Sequence, residues 1–384
     1  MNIFMLTSVP LVPPWDQGDK NLAYTLTQAL AMHRFRVLTM HGGEPPAGGN
    51  LDPLPVYRSR HPSMVQKASV FWNFLSFAAD NGVAPHPYQQ PDLYHLVYRP
   101  TSLSSLFSRI LPEFKRRPTL HTIPALSAED PPHPNLFFAD RLVVLSKHTQ
   151  KVLLKLGLRN VTYIPIGIDV ANWADLHFKT DLLKSRLGLS EQPVLLYPGH
   201  YAPEYGIEIL LEALPAIVTE LPEVQILCAC RLRSPADKKR ESSIQHSLNQ
   251  KGLAKHMRFL NTVTDMRALI GASDLTVLPL MSMRNKIDIP TTLLESLASG
   301  VPIVISNLPP MNELLDQSIE NDYRAGLVVP SGDADALAQA VVSLIKDHQL
   351  RQQFGRNGTA FVQEHFDVAD IAQQYEKIYK EMTT

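Results

Sequence analysis

One helix start carries residues that could bind an anion. Pro290 suits the first position of a helix because its missing N–H would be unpaired there. The backbone N–H groups of Thr291, Thr292 and Leu293 then point outward at the positive end of the helix dipole, which suits a diphosphate. Glu295 lies one turn further along and can reach a sugar or ribose hydroxyl. A buried α/β helix without a ligand explains the same residues.

The elements around this helix follow an α/β pattern. Short apolar runs alternate with amphipathic stretches, which predicts parallel sheets with covering helices. One series begins with strand Asn2–Thr7 and a second with Val194–Tyr197. We therefore expect an α/β fold of two Rossmann-like, doubly wound domains, with a cleft between the carboxyl ends of their sheets. The predicted bounds are 1–188 for the first domain, 189–365 for the second, and 366–384 for a C-terminal helix that crosses back to the first.

Two stretches of this pattern are less regular. Gly43 to about Pro62 is rich in turn residues. The helix that follows strand Val224–Ala229 is predicted over Ser242–Lys251, where apolar residues recur with helical spacing.

Length and composition restrict the class of protein. The 384 residues exceed what one hydrophobic core usually serves, and 45% apolar with 19% charged residues is typical of a soluble globular enzyme rather than a disordered chain. No run of 18 apolar residues occurs, which argues against a spanning helix. A net charge of −1 argues against a general nucleic-acid binder.

The ends and the cysteines indicate the compartment. Residues 1–14 are apolar but lack a basic stretch, so they predict a strand and loop rather than a signal peptide. Cys228 and Cys230 are spaced poorly for a disulfide, which fits a reducing cytoplasm. No Cys/His spacing indicates zinc.

The segment Pro-x4-Glu-x4-Gly-x-Pro, from Pro290 to Pro302, resembles the donor-site signature of retaining glycosyltransferases with the GT-B fold, family four. Further segments resemble the family in the same order, so the resemblance covers nearly the whole chain. They are Ala139-Asp-Arg-Leu-Val-Val-Leu-Ser146, Ile164-Pro-Ile-Gly-Ile-Asp169 and Ala325-Gly-Leu-Val-Val-Pro-Ser-Gly-Asp333.

The resemblance implies an activity. It implies that a sugar moves from a nucleotide-sugar donor, held by the second domain, to a hydroxyl of a glycan, lipid or small molecule at the first domain. The anomeric configuration is retained, no metal is needed and there is no cofactor. The leaving diphosphate takes the acceptor proton, so no pair of protein carboxylates is required. Closure of the domains would exclude water.

The resemblance also implies roles for particular residues. Glu295 holds the ribose, and backbone near Gly199 aids the helix start in holding the phosphates. His121, at the end of strand Thr119-Leu-His-Thr-Ile, faces the cleft beside the sugar and polarises or hydrogen-bonds reacting hydroxyls. Gly18 matches only part of the Gly-rich loop that approaches the donor phosphates. A histidine with only structural partners explains His121 equally well.

The sequence departs from the family at three positions. The first of the family's two glutamates falls at Ile287, so we expect Asp288 to contact the donor sugar instead. The family's Gly-Arg-x4-Lys-Gly is replaced by Gly199-His-Tyr-Ala-Pro-Glu-Tyr-Gly206. His200 takes the Arg position and Tyr205 the Lys position, although a diphosphate in a dry cleft favours cationic donors.

Three other cations could replace the missing pair. Arg231 follows strand Val224–Ala229, while Arg284 and Lys286 precede the anion-binding helix. Solvated surface cations would carry the same residue types.

Four more features have structural explanations beside functional ones. Asp333-Ala-Asp335 fits a helix N-cap better than a metal site. Glu313 aligns with a family glutamate near the nucleotide or only starts a helix. Glu129 and Asp130 could contact an acceptor, but we predict no catalytic role for them. The segment Ser104–Arg117 either contacts an anionic membrane peripherally or forms an ordinary solvated helix.

Two functions other than sugar transfer stay open. The missing Arg, Lys and first Glu fit a catalytically degenerate GT-B protein that binds a glycan or a partner enzyme. A sugar-nucleotide epimerase of the same fold needs ionisable groups poised for proton abstraction, and the sequence offers no convincing set.

Overall fold

The computed structural model divides the chain into two compact units. The first comprises Met1–Gly167, Asn285–Asp288 and Val368–Thr384, and the second Ile168–Arg284 and Ile289–Asp367. The residues that the structure describes are 1–13, 17–44, 46–60, 62–63, 91–102, 104–105, 117–126, 132–174, 176, 180–189, 192–263, 265–284, 286–320 and 322–384.

The boundary between the units lies earlier than the predicted one at residue 188. Residues 168–188 group with the second unit, where several of the described side chains of this stretch pack. Leu176 and Leu183 form a small buried cluster with Ala272. The Lys184 ammonium lies 2.8 Å from the Asp274 carboxylate. The C-terminal helix groups with the first unit.

The first unit contains a parallel sheet of seven strands in the order β3-β2-β1-β4-β5-β6-β7. These strands are β1 (Asn2–Thr7), β2 (Arg34–Met40), β3 (Leu51–Tyr57), β4 (Leu93–Val97), β5 (Thr119–Ile123), β6 (Arg141–Val144) and β7 (Val161–Tyr163). Helices α1 (Gly18–Ala29) and α2 (Lys147–Lys155) follow β1 and β6. Because the strands are parallel, their carboxyl ends share one edge of the sheet, and the loops there are placed to form a site.

The edge strand β3 was not predicted from the sequence. It pairs with β2 and carries Pro53 and Pro55, opposite Val37 and Thr39. Proline cannot donate a ladder hydrogen bond, but an edge strand tolerates it on the side that faces away from the sheet.

The second unit contains a parallel sheet of six strands in the order β10-β9-β8-β11-β12-β13. These are β8 (Val194–Tyr197), β9 (Gln225–Cys228), β10 (Met257–Phe259), β11 (Leu275–Leu278), β12 (Ile303–Ser306) and β13 (Gly326–Val329). The helices, in chain order, are α3 (Thr180–Arg186), α4 (Ile207–Glu220), α5 (Pro235–Gln250), α6 (Met266–Gly271), α7 (Thr291–Ala298), α8 (Glu313–Glu320), α9 (Ala334–Lys346) and α10 (His348–His365).

The C-terminal helix α11 (Val368–Thr383) joins the first unit through a buried polar network. The His95 ring lies between the Tyr379 hydroxyl and the Thr122 hydroxyl, each 2.7 Å from a ring nitrogen. The Tyr375 hydroxyl lies 3.1 Å from Thr122 Oγ1. Burial lowers the pKa of His95 to about 3, aided by the neighbouring His121, so the ring is neutral at pH 7.

Among the helices of the described residues, none is both long enough and apolar enough to cross a membrane. Cys228 and Cys230 are free, buried thiols.

Candidate functional site

The buried Tyr197 holds the backbone of the loop after β8. The Tyr197 hydroxyl lies 2.9 Å from the carbonyl oxygen of Tyr205 and 3.3 Å from that of His200. A Cβ atom at Gly199 would lie 2.0 Å from Tyr197 Cζ, so only glycine fits at this position. The close approach fixes the backbone at Gly199, where the sequence predicts a phosphate contact.

The two residues at the family's cation positions contact each other. The His200 and Tyr205 rings have centroids 4.9 Å apart and are inclined by 38°. Both side chains are half-buried. The loop therefore presents an aromatic pair where the family pattern predicts an arginine and a lysine.

Gly206 ends this loop and caps α4. Its φ of 72° lies in the left-handed region, and a Cβ there would lie 1.7 Å from the Pro279 carbonyl oxygen. The loops after β8 and β11 therefore meet backbone to backbone at the carboxyl edge of the second sheet.

Helix α7 begins at this same edge. Pro290 occupies its N-cap position, one residue earlier than predicted, and supplies no side-chain capping bond. The Leu293 amide donates to the Pro290 carbonyl oxygen at 3.0 Å. The predicted outward role of the Leu293 amide is therefore wrong, because the helix itself uses this N–H. The amides of Thr291 and Thr292 remain the predicted phosphate donors.

Glu295 lies on the first turns of α7. Its side chain is half-buried, and loss of water raises its pKa to about 7, while a hydrogen bond from the Thr291 hydroxyl opposes that rise. The carboxylate thus lies near the predicted helix start. It titrates close to neutral pH, which is uncommon outside functional sites.

The three candidate replacement cations fall in different places. Arg231 is half-buried and follows β9, so it shares the carboxyl edge of the second sheet with the loop at Gly199. Arg284 also belongs to the second unit, whereas Lys286 is buried in the first. Lys286 and Arg231 are therefore not brought together within one unit.

In the first unit, Gly18 packs against Ile287. A Cβ atom at Gly18 would lie 3.2 Å from Ile287 Cγ2, a tight contact at the start of α1. Residue 287 is the position of the family's first glutamate. Within this unit an apolar side chain therefore covers the glycine that was predicted to approach the phosphates.

Asp288 is bound by the protein itself. Its Oδ2 atom accepts hydrogen bonds from the hydroxyls of Ser146 and Thr149, both at 2.6 Å, and its amide donates to the Pro124 carbonyl oxygen at 2.9 Å. Ser146 also caps α2 by accepting from the Thr149 amide. The carboxylate is 3% exposed, and these bonds anchor segment 286–288 at the start of α2, while its contact with a sugar stays a prediction.

His121 is fully buried in β5. Its Nε2–H donates to the Tyr98 carbonyl oxygen at 2.9 Å, and its Nδ1 has no hydrogen-bond partner among the described residues. Burial lowers its pKa to about 4, although the bond to Tyr98 opposes this. The ring is therefore neutral at pH 7. With Nε2–H bound to Tyr98, Nδ1 is an acceptor and not a proton donor, and the burial of the ring covers this atom.

The sequence analysis missed Ser146, Thr149 and Tyr197. Ser146, two residues after β6, was noted only as part of a family segment, and a partner 142 residues away leaves no local signal. The predicted N-cap at Asp333 is confirmed, since its carboxylate accepts from the Ala336 amide at 2.8 Å. Glu313 begins α8. Glu129, Asp130 and most of segment 104–117 lie outside the described residues.

The described residues contain no group of three or more His, Cys, Asp or Glu side chains arranged to hold a metal ion. The candidate site groups the backbone amides of the Gly199 loop and α7 with Glu295 and Arg231 at the carboxyl edge of the second sheet. That edge is where open α/β sheets bind their ligands.

The family model of glycosyl transferases group 1 matches residues 179–361, all of which except 285–288 lie in the second unit. The second unit is similar to glycosyl transferases group 1 over most of its length, and we call this matched part the group 1 domain. This match contains the Gly199 loop, Arg231 and α7, so the predicted donor residues of the second unit all fall within the domain.

Two of the relatives found by sequence are named as transferases. A phosphatidyl-myo-inositol mannosyltransferase of Mycobacterium leprae is 30% identical over 233 residues, 58% of this chain and 54% of the relative. An alpha-D-kanosaminyltransferase of Streptomyces kanamyceticus is 24% identical over 211 residues, 54% of this chain and 51% of the relative. The chain thus spans about half the length of the curated relatives it matches.

Solved structures share the fold of this chain. Anabaena HepE in complex with UDP matches 99% of this chain and 100% of its own with a TM-score of 0.75 at 18% identity. Sucrose-phosphate synthase of Thermosynechococcus elongatus matches 99% of each chain with a TM-score of 0.77 at 20% identity. The predicted α/β fold of two Rossmann-like domains is confirmed.

Proposed function

We propose that the protein is a glycosyltransferase that moves a sugar from a nucleotide-sugar donor to a hydroxyl-bearing acceptor. The observation that carries this proposal is the group 1 domain in which α7 and Glu295 stand at the carboxyl edge of the sheet. A helix start with available amides suits the diphosphate, and a nearby carboxylate suits the ribose hydroxyls.

In this proposal the second unit binds the donor. The amides of Thr291 and Thr292 hold the phosphates at the positive end of α7, together with backbone at Gly199 and the guanidinium of Arg231. Glu295 accepts hydrogen bonds from the ribose. Each of these groups belongs to the second unit and lies in a segment that follows the carboxyl end of a strand.

The remaining details of the reaction are also proposals. The acceptor hydroxyl attacks the anomeric carbon on the face that the diphosphate leaves, so the configuration is retained. The leaving phosphate takes the hydroxyl proton, which requires no protein carboxylate pair. We propose no metal and no cofactor, and transfer that persists in EDTA would support the first point. His121 Nδ1 accepts a hydrogen bond from a hydroxyl of the donor sugar or the acceptor.

The relatives are named for different donors and acceptors, so no single relative indicates the donor base or the acceptor of this protein. HepE has been solved with UDP and UDP-glucose, while a Corynebacterium glutamicum relative is named as GDP-mannose-dependent. Relatives are named for phosphatidyl-myo-inositol and for L-malate as acceptors, that is, a lipid and a small molecule. We propose a cytoplasmic enzyme in polysaccharide or glycolipid biosynthesis that contacts an anionic membrane peripherally.

The test is a thermal-shift panel of UDP-, GDP- and ADP-sugars and their free nucleotides, in EDTA. A ligand at about 100 times its dissociation constant adds roughly 2.7 kcal/mol to the folded state, which gives a visible shift. We expect one base class to respond and the Glu295→Ala variant to lose that response. Transfer is then measured with the responding donor and a set of hydroxyl acceptors.

One observation favours a second candidate. The His200–Tyr205 pair replaces two cations, as expected of a degenerate protein that binds a glycan or partner enzyme. A donor that stays intact with every acceptor would favour this candidate. An isomerised sugar nucleotide formed without acceptor would instead favour an epimerase.

A further inference from the structure

Helix α2 in the first unit presents a cationic outer face. Lys151 and Lys155 are exposed and lie one turn apart, and Arg159 is exposed just beyond the helix. Leu154 lies between the two lysines in sequence and is 44% exposed. The opposite side of the helix is buried through Thr149 and Leu153. We call the four outward residues the α2 face.

The charge of this region is one-sided. Residues 141–168 contain five Lys and Arg residues and no Asp or Glu. The carboxylate of the flanking Asp140 is bound elsewhere, because it accepts hydrogen bonds from the amide and hydroxyl of Thr119. Among the described residues, Lys151, Lys155 and Arg159 form no ion pair. Their charge is therefore available to a partner outside the chain.

Helix stability does not explain all of these charges. The first turn of α2 carries Lys147 and His148 and no acidic residue, although the helix dipole favours anions there. An ordinary solvated helix mixes both signs. Helix α5 of the second unit does so, with Asp237 and Glu241 flanking its lysines at 238 and 239.

The exposed Leu154 indicates which class of partner the α2 face would bind. A nucleic acid offers phosphates but little apolar surface beside them. An anionic bilayer offers both, since its headgroups attract cations and its acyl boundary accepts an apolar side chain between the aliphatic stems of lysines. The combination of Lys151, Leu154 and Lys155 on one face matches the bilayer.

We propose that the α2 face docks the first unit on an anionic membrane surface. This assigns a surface to the peripheral contact and is separate from the segment 104–117, most of which lies outside the described residues. The purpose of docking rests on the proposed function, because it would bring the first unit to a lipid-borne hydroxyl. The docking itself requires no transfer.

The test is co-sedimentation of the full chain with vesicles of phosphatidylcholine containing about one-third phosphatidylglycerol, at low salt and without donor. Each cation near such a surface contributes roughly a fivefold gain in affinity. The triple variant Lys151→Gln, Lys155→Gln and Arg159→Gln should therefore bind about 100-fold more weakly. Raising the salt should weaken wild-type binding in the same direction.

A matched control separates the α2 face from net charge. The triple variant Lys238→Gln, Lys239→Gln and Lys251→Gln removes the same charge from exposed positions of the second unit and should bind as wild type does. The Leu154→Gln variant keeps every cation and should bind roughly threefold to tenfold more weakly. Unchanged melting temperatures identify variants that are folded.

Three results would overturn the proposal. They are equal binding to vesicles of phosphatidylcholine alone, an equal loss in both triple variants, and α2-dependent binding of duplex nucleic acid that exceeds vesicle binding. The proposed function fails separately. A protein that binds vesicles through the α2 face but shows no thermal shift with any nucleotide-sugar keeps this inference and loses that one.

Discussion

The rings of His200 and Tyr205 pack against each other with centroids 4.9 Å apart, at the two positions where the family pattern predicts cations. The contact fills the loop between Gly199 and Gly206 with aromatic surface. Phosphate recognition by this loop, if the donor binds here, then depends on backbone amides rather than on two charge-assisted bonds. The pair is thus a specific difference from the family pattern, and a single substitution can probe it.

The variant His200→Arg should strengthen binding of a nucleoside diphosphate. A charge-assisted hydrogen bond contributes about 1.5–3 kcal/mol, so the gain is roughly tenfold or more. Calorimetric titration of the diphosphate and of the matching nucleoside measures the effect, and the nucleoside should not respond. The variant His200→Gln is the uncharged control. Equal gains for both ligands would place the phosphates away from this loop.

Arg231 follows β9 at the carboxyl edge of the second sheet. The variant Arg231→Ala should weaken the diphosphate by about tenfold or more and leave the nucleoside nearly unchanged. Arg258→Ala serves as a control, because its guanidinium binds the carbonyl oxygens of Leu187 and Gly188 instead. Matching losses for diphosphate and nucleoside would remove Arg231 from the phosphate site.

Glu295 should give donor binding a pH dependence. Burial raises its pKa to about 7, so the carboxyl is largely protonated at pH 6 and ionised at pH 8. Ribose hydroxyls donate more strongly to the ionised form, and affinity should therefore rise with pH through about 7. A nucleotide-sugar such as UDP-glucose is the suitable ligand, since its phosphates do not titrate in this range.

The variants of Glu295 provide the controls for this profile. Glu295→Gln should flatten it, and Glu295→Ala should abolish binding while the protein stays folded. The folded wild type holds a proton that the unfolded chain releases between about pH 4.5 and 7. This group's contribution to stability therefore declines as the pH rises through that window, and a flat difference between wild type and Glu295→Gln would contradict the raised pKa.

Much of the fold was predictable because its signals are local. The strands β1 and β8 have the predicted bounds, since each is a short apolar run between turn residues. Helix α5 begins at Pro235 rather than at the predicted Ser242. Its first turns are polar and show no apolar period, so only the Ser234 cap, which accepts from the Asp237 amide, marks the start.

The site was predictable where one segment carries it. Pro290 and Glu295 lie close in sequence, and the helix start that joins them was read from residue types alone. The partners of Asp288 were not predictable, because Ser146 and Thr149 lie far away in the chain. Asp288 lies beside the position of the missing family glutamate, and the sequence therefore suggested a substitute ligand. In the structure its carboxylate anchors the segment through Ser146 and Thr149.

We therefore expect substitution of Asp288 to affect the stability of the protein more directly than its contact with a sugar. The variant Asp288→Ala removes the acceptor of two short hydroxyl bonds and leaves both hydroxyls buried, at a cost of about 2–4 kcal/mol in the free energy of unfolding. Urea unfolding measures the change. Asp288→Asn keeps an acceptor oxygen and should cost less. A variant Asp288→Ala with wild-type stability but weaker donor binding would restore the sugar contact predicted from sequence.

A comparison of alanine variants at Gly206 and Gly252 separates the cost of backbone strain from the cost of steric contact. Both have positive φ, 72° and 69°, so a change to alanine carries a similar conformational cost of about 1 kcal/mol at each. A Cβ at Gly252 meets open space, whereas one at Gly206 would lie 1.7 Å from the Pro279 carbonyl oxygen. Gly206→Ala must then move the loops after β8 and β11 apart. It should lose at least about 2 kcal/mol more than Gly252→Ala in urea unfolding.

Because the same loops are proposed to hold the phosphates, Gly206→Ala should also weaken binding of the diphosphate, and Gly252→Ala should not. Equal stability of the two variants would mean that the contact with Pro279 is not made in solution.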